Sequence, residues 1–215
     1  MSWFDWFRSL LVHPLLRGVD IHDLSVTNLR REILHSNRFF RQICQEWYQA
    51  LSTEIPEGTG SVLEIGSGAG FLRDYIPSLI TSEVFYSSLV QVILNGNAIP
   101  FAVENLRGIV MNNVLHHVAQ PRRFFAEAAR CVRPGGVVTC LEPWMTSWSR
   151  SVYRHVYHEP IHPEAMEWDI PSIGPLSGAN IALPWIFSSA TAANSRRNFP
   201  AGRLRRSGCS CHSVI

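Results

Sequence analysis

The chain has 215 residues, 46% hydrophobic and 17% charged, enough for one domain with a real core. Its net charge of +2 hides an asymmetry: residues 1–187 carry 14 Arg against 17 acids (−3), and residues 188–215 carry 5 Arg and no acid (+5). The basic excess sits in the last stretch, so the body has no nucleic-acid footprint. No apolar run reaches the roughly 18 residues of a membrane-spanning helix, and the N-terminus is a poor signal peptide. Five cysteines without framework spacing suit a reducing compartment, and a cytoplasmic location is expected.

Residues 1–17 are rich in aromatics, with Trp3, Phe4, Trp6 and Phe7 joined by Leu10, Leu11 and Pro14. They suggest one apolar face of a short helix, read as a lid over a cleft. The alternative use of that face is weak contact with a membrane surface, but the basic residues such a helix needs are few. Leu24 to Leu51 reads as one long helix or a broken pair, with Asp23 or Ser25 as cap. Its apolar residues recur at three- and four-residue steps, so it is expected to cover the core without demanding chemistry. Residues 1–55 together form an N-terminal helical cover. Pro56 to Gly60 then turns the chain into a strand.

The next stretch organises the rest. Val62 to Ile65 reads as a short buried strand, interrupted by Glu64 and ending at Gly66, Gly68 and Gly70. Such glycines permit backbone conformations that a Cβ forbids and let a ligand approach the main chain. A strand running into a glycine turn is the nucleotide-binding corner of an open α/β sheet. Glu64-x-Gly66-x-Gly68-x-Gly70 resembles motif I of the class I S-adenosylmethionine (SAM)-dependent methyltransferases. It differs from the dinucleotide pattern G-x-G-x-x-G, because the third glycine comes one residue early.

Phe71 to Ile76 has room for one or two helical turns before Pro77. Leu79 to Val84 reads as strand two, and Glu83 falls near the roughly 20-residue offset at which an acid meets ribose hydroxyls. Val90 to Leu94 reads as strand three. Asn95-Gly96-Asn97-Ala98-Ile99-Pro100-Phe101 resembles the D-x-x-x-L-P-F stretch of the same family, which lines the adenine pocket, with Asn95 in place of aspartate. Leu106 to Asn113 reads as strand four. With Val114-Leu115-His116-His117 it resembles the methyltransferase type 11 subgroup, where a polar residue matching Asn113 lies beside the methionine part of SAM. His116 and His117 are expected at an active-site mouth, to orient substrate or accept a proton, with packing as the ordinary alternative.

Gln120-Pro121 starts a helix through Val132. Arg133-Pro134-Gly135-Gly136 turns it into strand five, Val137 to Leu141, a pattern also similar to the family's. Beyond Glu142-Pro143-Trp144 the α/β alternation lapses. Aromatic and polar residues over 144–187 are expected to shape an acceptor pocket for an apolar or ring-bearing substrate. His155, His158 and His162 have no regular helical face to align them, so no metal site is expected. Ile181 to Phe187 is the candidate for a sixth strand. Residues 188–215 read as a disordered or aberrant tail, and the sheet is expected to lack its last strand.

The resemblance covers about Ser61 to Trp144. It implies a Rossmann-like α/β fold with a mostly parallel sheet, spanning residues 56–187, and SAM as cofactor. Glu64, Gly66, Ser67, Gly68, Gly70, Glu83, Asn95, Ala98 and Asn113 are the residues it assigns to cofactor binding. The implied reaction is methyl transfer to a small-molecule, lipid or sugar acceptor, with His116, His117, His158 and Glu159 as candidate bases. Two alternatives stay open: a SAM-binding protein that is truncated or no longer catalyses, and an NAD-dependent oxidoreductase, which the glycine spacing opposes. The acceptor and the oligomeric state are not legible.

Overall fold

The computed structural model describes residues 13–19, 26–157, 159–171, 178–195 and 208–214. Two helices come first, α1 (Val26–Ser36) and α2 (Arg38–Thr53). The broken pair expected from sequence is what forms. Asn37 makes the break, because its side-chain oxygen accepts from the amides of Phe39 and Phe40 and caps α2. The expected caps Asp23 and Ser25 lie outside the described residues.

The sheet has six parallel strands in the order β3-β2-β1-β4-β5-β6. These are β1 (Val62–Ile65), β2 (Leu79–Glu83), β3 (Val92–Ile93), β4 (Leu106–Asn112), β5 (Val132–Pro143) and β6 (Gly208–Val214). A parallel sheet must be covered on both faces, so its central strands read as unbroken apolar runs. Period-two alternation divides them. Leu63, Ile65, Ile109 and Met111 pack on one side with Phe124, Ala128 and Cys131 of α3 (Pro121–Cys131). Val62, Val110 and Leu141 pack on the other side with Tyr48 and Leu51 of α2, Phe71 and Leu72.

Between β1 and β2 the chain makes only a 3₁₀ turn, Leu72–Asp74, where a crossover helix would usually stand. Two short helices complete the described structure, α4 (Ser147–His155) and α5 (Leu183–Ser195). The sixth strand is therefore Gly208–Val214 and not Ile181–Phe187. That candidate segment turns into α5 instead: Asn180 accepts from the amides of Ala182 and Leu183, and Pro184 falls in the first helical turn, where its missing N–H costs nothing. A seventh strand is not seen among the described residues.

The Arg133–Gly136 segment is a bulge, with the β4–β5 register slipping between the pairs Leu106–Val132 and Gly108–Val137. A Cβ on Gly136 would lie 2.6 Å from both the Arg107 carbonyl oxygen and Val132 Cγ1, whereas one on Gly135 would meet open space but at φ +81°. Gly136→Ala should therefore cost about 2–3 kcal/mol through overpacking against backbone. Gly135→Ala should cost about 1 kcal/mol, from backbone strain alone. Urea midpoints of the two variants should fall in that order.

Candidate active site

β1 ends in two left-handed glycines, Gly66 at φ 68° and Gly68 at φ 52°. At Gly66 a Cβ would also collide with Val114 Cγ2 at 2.6 Å. Hydrogen bonds fix the turn to β2. The Ser67 amide donates to the Ser82 carbonyl, and the Ser82 amide donates back to Ser67 Oγ at 3.0 Å. Glu83 accepts from the Gly68 amide at 2.7 Å and from the Val84 amide at 3.2 Å. Its carboxylate oxygens each keep a second lone pair.

Glu64 is 4% exposed. Burial pushes its carboxyl up to about 7, opposed by a hydrogen bond to the Ser67 side chain and assisted by the nearby Glu83 charge. Among the described residues no basic side chain forms an ion pair with it.

Above this corner lies a cavity of about 1380 Å³. Its floor is Glu64, Gly66 to Gly70, Asn112 and Asn113. Much of its wall is apolar: Ile33 and Leu34 of α1, Phe40, Cys44 and Trp47 of α2, and Val156. His13, Arg17 and Arg30 add basic groups, and residues 16–19 close another part of the wall. Residues 1–12, where a lid was expected, lie outside the described residues.

The helices taken as a mere cover thus wall the cavity. Tyr48 is the clearest case: it lines the cavity, and a Cβ on Gly70 would meet its hydroxyl at 2.5 Å. Burial drives that phenol's pKa upward, so it stays neutral.

The expected cofactor residues divide. Glu64, Gly66, Ser67, Gly68, Gly70 and Asn113 meet at the cavity, with Glu83 bonded directly behind Gly68. Asn95 and Ala98 are exposed and do not line it; they close a turn in which the Asn97 amide donates to Asn95 Oδ1 at 2.9 Å.

β4 ends in Asn113, a non-glycine residue at φ 57°. That turn directs the Val114 and Leu115 amides at Oε1 of Glu142, at 2.8 and 2.7 Å. The other oxygen of Glu142 meets His116 Nδ1 at 2.6 Å. On its far side, His116 Nε2 is 3.1 Å from Glu159 Oε2. Burial alone would depress the imidazole, yet the hydrogen bonds and charges of Glu142 and Glu159 outweigh it and hold it at about 9. His116 is 2% exposed, so it does not open onto a mouth as expected. His117 is a third exposed, with Nδ1 on the Gly178 carbonyl at 3.1 Å and Nε2 3.5 Å from Glu159. His158 lies outside the described residues. Spacing offered these histidines no carboxylate partner, because Glu142 and Glu159 arrive from another strand and another loop.

Residues 63–140 match the family described as a methyltransferase domain. No curated protein matches the chain. Among solved structures it is similar to a protein from Methanococcus maripaludis described as a putative S-adenosyl-L-methionine-dependent methyltransferase, at 17% identity and TM-score 0.48 over 61% of this chain and 71% of that one. It is also similar to a SAM-dependent methyltransferase from Thermotoga maritima, at 15% identity and TM-score 0.47 over 76% and 78% of the two chains. A third likeness is phosphoethanolamine N-methyltransferase 2 from Haemonchus contortus, solved with S-adenosyl-L-methionine, at 14% identity and TM-score 0.36 over 60% and 41%.

Truncating Glu142 to Ala leaves two backbone amides and a buried imidazole without their acceptor, and should cost about 3–5 kcal/mol in urea unfolding. Glu142→Gln should cost less. For Glu64 the linkage has the opposite sense to that of a paired carboxylate. Its folded pKa is raised, so the folded state holds the proton longer than the unfolded chain, and stability falls as pH rises from about 5 to about 7. The ligand-free wild type should lose more in melting temperature over that range than Glu64→Gln.

Proposed function

We propose that the chain, whose residues 63–140 match the methyltransferase-domain family, binds SAM on the Gly66–Gly70 corner and methylates a largely apolar acceptor in the same cavity. The observation that carries this reading is Glu64: a buried carboxyl facing a cavity, with no ion-pair partner among the described residues. A buried carboxylate is costly unless paired, and the ammonium of a methionine moiety is a partner of the right charge and size. The two left-handed glycines would let that moiety lie against the main chain, and Glu83, held at the edge of the same turn, would accept from a ribose diol.

The bound cofactor would supply an activated methyl group. The protein's task is then positioning and the exclusion of water. Ligand pockets usually measure about 300–1,000 Å³, so the cavity is large enough for an acceptor beside the cofactor. The aliphatic and aromatic wall favours a lipid or an apolar small molecule over a sugar, and Arg17 and Arg30 suit an acidic group on it. His116, held between two carboxylates, is a positioning residue in this reading: it fixes the loop after β4 against the segment that carries Val156 and Tyr157.

Calorimetric titration with SAM should show one site on the wild type. Gly66→Arg should abolish it, and Glu64→Gln should weaken it about tenfold or more, as expected for loss of a charge-assisted bond. Tighter binding of NAD than of SAM would overturn the assignment. Labelled methyl transfer into lipid and small-molecule extracts then separates an active enzyme from a binding protein.

A further inference from the structure

Beside the cavity, His116, His117 and Glu159 form a second centre, and we propose that it binds one divalent transition-metal ion of the zinc type. The three side chains place a ring nitrogen each and a carboxylate oxygen within 4.8 Å of one another. His116 Nε2 and His117 Nε2 lie 3.1 and 3.5 Å from the two oxygens of Glu159. Zinc holds such ligands at about 2.0–2.2 Å, so neighbours in a tetrahedral shell stand roughly 3.3–3.6 Å apart. The spacing therefore needs little adjustment to admit the ion.

The tautomers point the same way. The Gly178 carbonyl can only accept, so His117 carries its proton on Nδ1 and presents a bare Nε2. Glu142, whose Oε1 accepts two amides, uses Oε2 to hold the Nδ1 proton of His116. Both Nε2 atoms then face the Glu159 carboxylate. A divalent ion placed between them would meet both rings and the carboxylate at once.

The surroundings are also those of a ligand site. A carboxylate or carbonyl on the far nitrogen of each ligating histidine is the usual orienting device around a bound metal, and both rings have one. Two imidazoles and one carboxylate suit zinc and its neighbours over magnesium or calcium. The loop bearing Glu159 is held at its end: Asn180 bonds the His162 amide and carbonyl, its own amide donates to the His116 carbonyl, and the Ile181 amide donates to the Pro160 carbonyl. His117 is exposed enough for water to complete the shell. His155 and His162, which spacing brought up as metal candidates, do not enter this cluster.

The test uses the full chain without a polyhistidine tag, in a Cys209→Ser/Cys211→Ser background so that these thiolates do not contribute. After treatment with chelator, zinc is titrated by calorimetry, and cobalt(II) is added to read its visible d–d bands. One equivalent of zinc should bind, with cobalt bands of a four- or five-coordinate N/O site. His117→Ala and Glu159→Gln should abolish both signals while circular dichroism stays native, and His155→Ala should leave them intact. Glu142→Gln should weaken zinc binding about 10–100-fold, as is typical of orienting partners. A folded parent that binds no stoichiometric zinc, or His117→Ala binding as tightly as the parent, would overturn the proposal.

Discussion

The carboxylate of Glu142 is the interaction on which both centres depend. It is fully buried at the end of β5. A charge there is tolerable only if donors surround it. Three do: the Val114 and Leu115 amides and His116 Nδ1. The two amides are available because Asn113 takes a left-handed conformation and ends β4. Asparagine accepts that conformation more readily than most residues. The turn that places Asn113 on the cavity floor is thus the same turn that presents His116 to Glu159. Neither centre can be moved without the other.

A second constraint comes from the short connection after β1. With only a 3₁₀ turn between Gly70 and β2, no crossover helix covers that side of the sheet. A parallel sheet cannot leave an apolar face bare. α2 covers it, packing Tyr48 and Leu51 against Val62, Val110 and Leu141. This brings the Tyr48 hydroxyl against Gly70 and turns a core helix into a cavity wall. The third glycine is required less by backbone conformation than by the room it leaves for that phenol.

Local features were legible in the sequence. The four strands β1, β2, β4 and β5, the Glu64–Gly70 corner and the offset to Glu83 are each written within short windows, where apolar runs, glycines and a nearby acid are read together. The break at Asn37 was half legible, since a cap shows in sequence only when the register of the helix around it is known. Ile181–Phe187 misled because a short apolar run does not distinguish a strand from a buried helix start, and Pro184 suits the latter. Glu142 and Glu159 were invisible as partners of His116. Their meeting is a consequence of strand order and of a clamped loop, neither of which leaves a local pattern. Tyr48 was hidden for a related reason: it sits on the apolar stripe of α2, and only the missing crossover helix gives that stripe a second use.

The two centres resolve their buried charges in different ways. Around His116 the protein supplies both signs, an imidazole held between the carboxylates of Glu142 and Glu159. At Glu64, among the described residues, it supplies one sign only. Burial and the Glu83 charge both work against ionisation, and one hydroxyl hydrogen bond works for it. A cavity whose floor carries the buried Glu64 carboxyl and whose wall is largely apolar is polarised from one end to the other. In the proposed reading a cationic, polar ligand lies at the glycine corner and an apolar one against α1, α2 and Val156. A positive charge bound on the floor would pair with Glu64, and the same desolvation that keeps its proton on in the empty site would strengthen that ion pair.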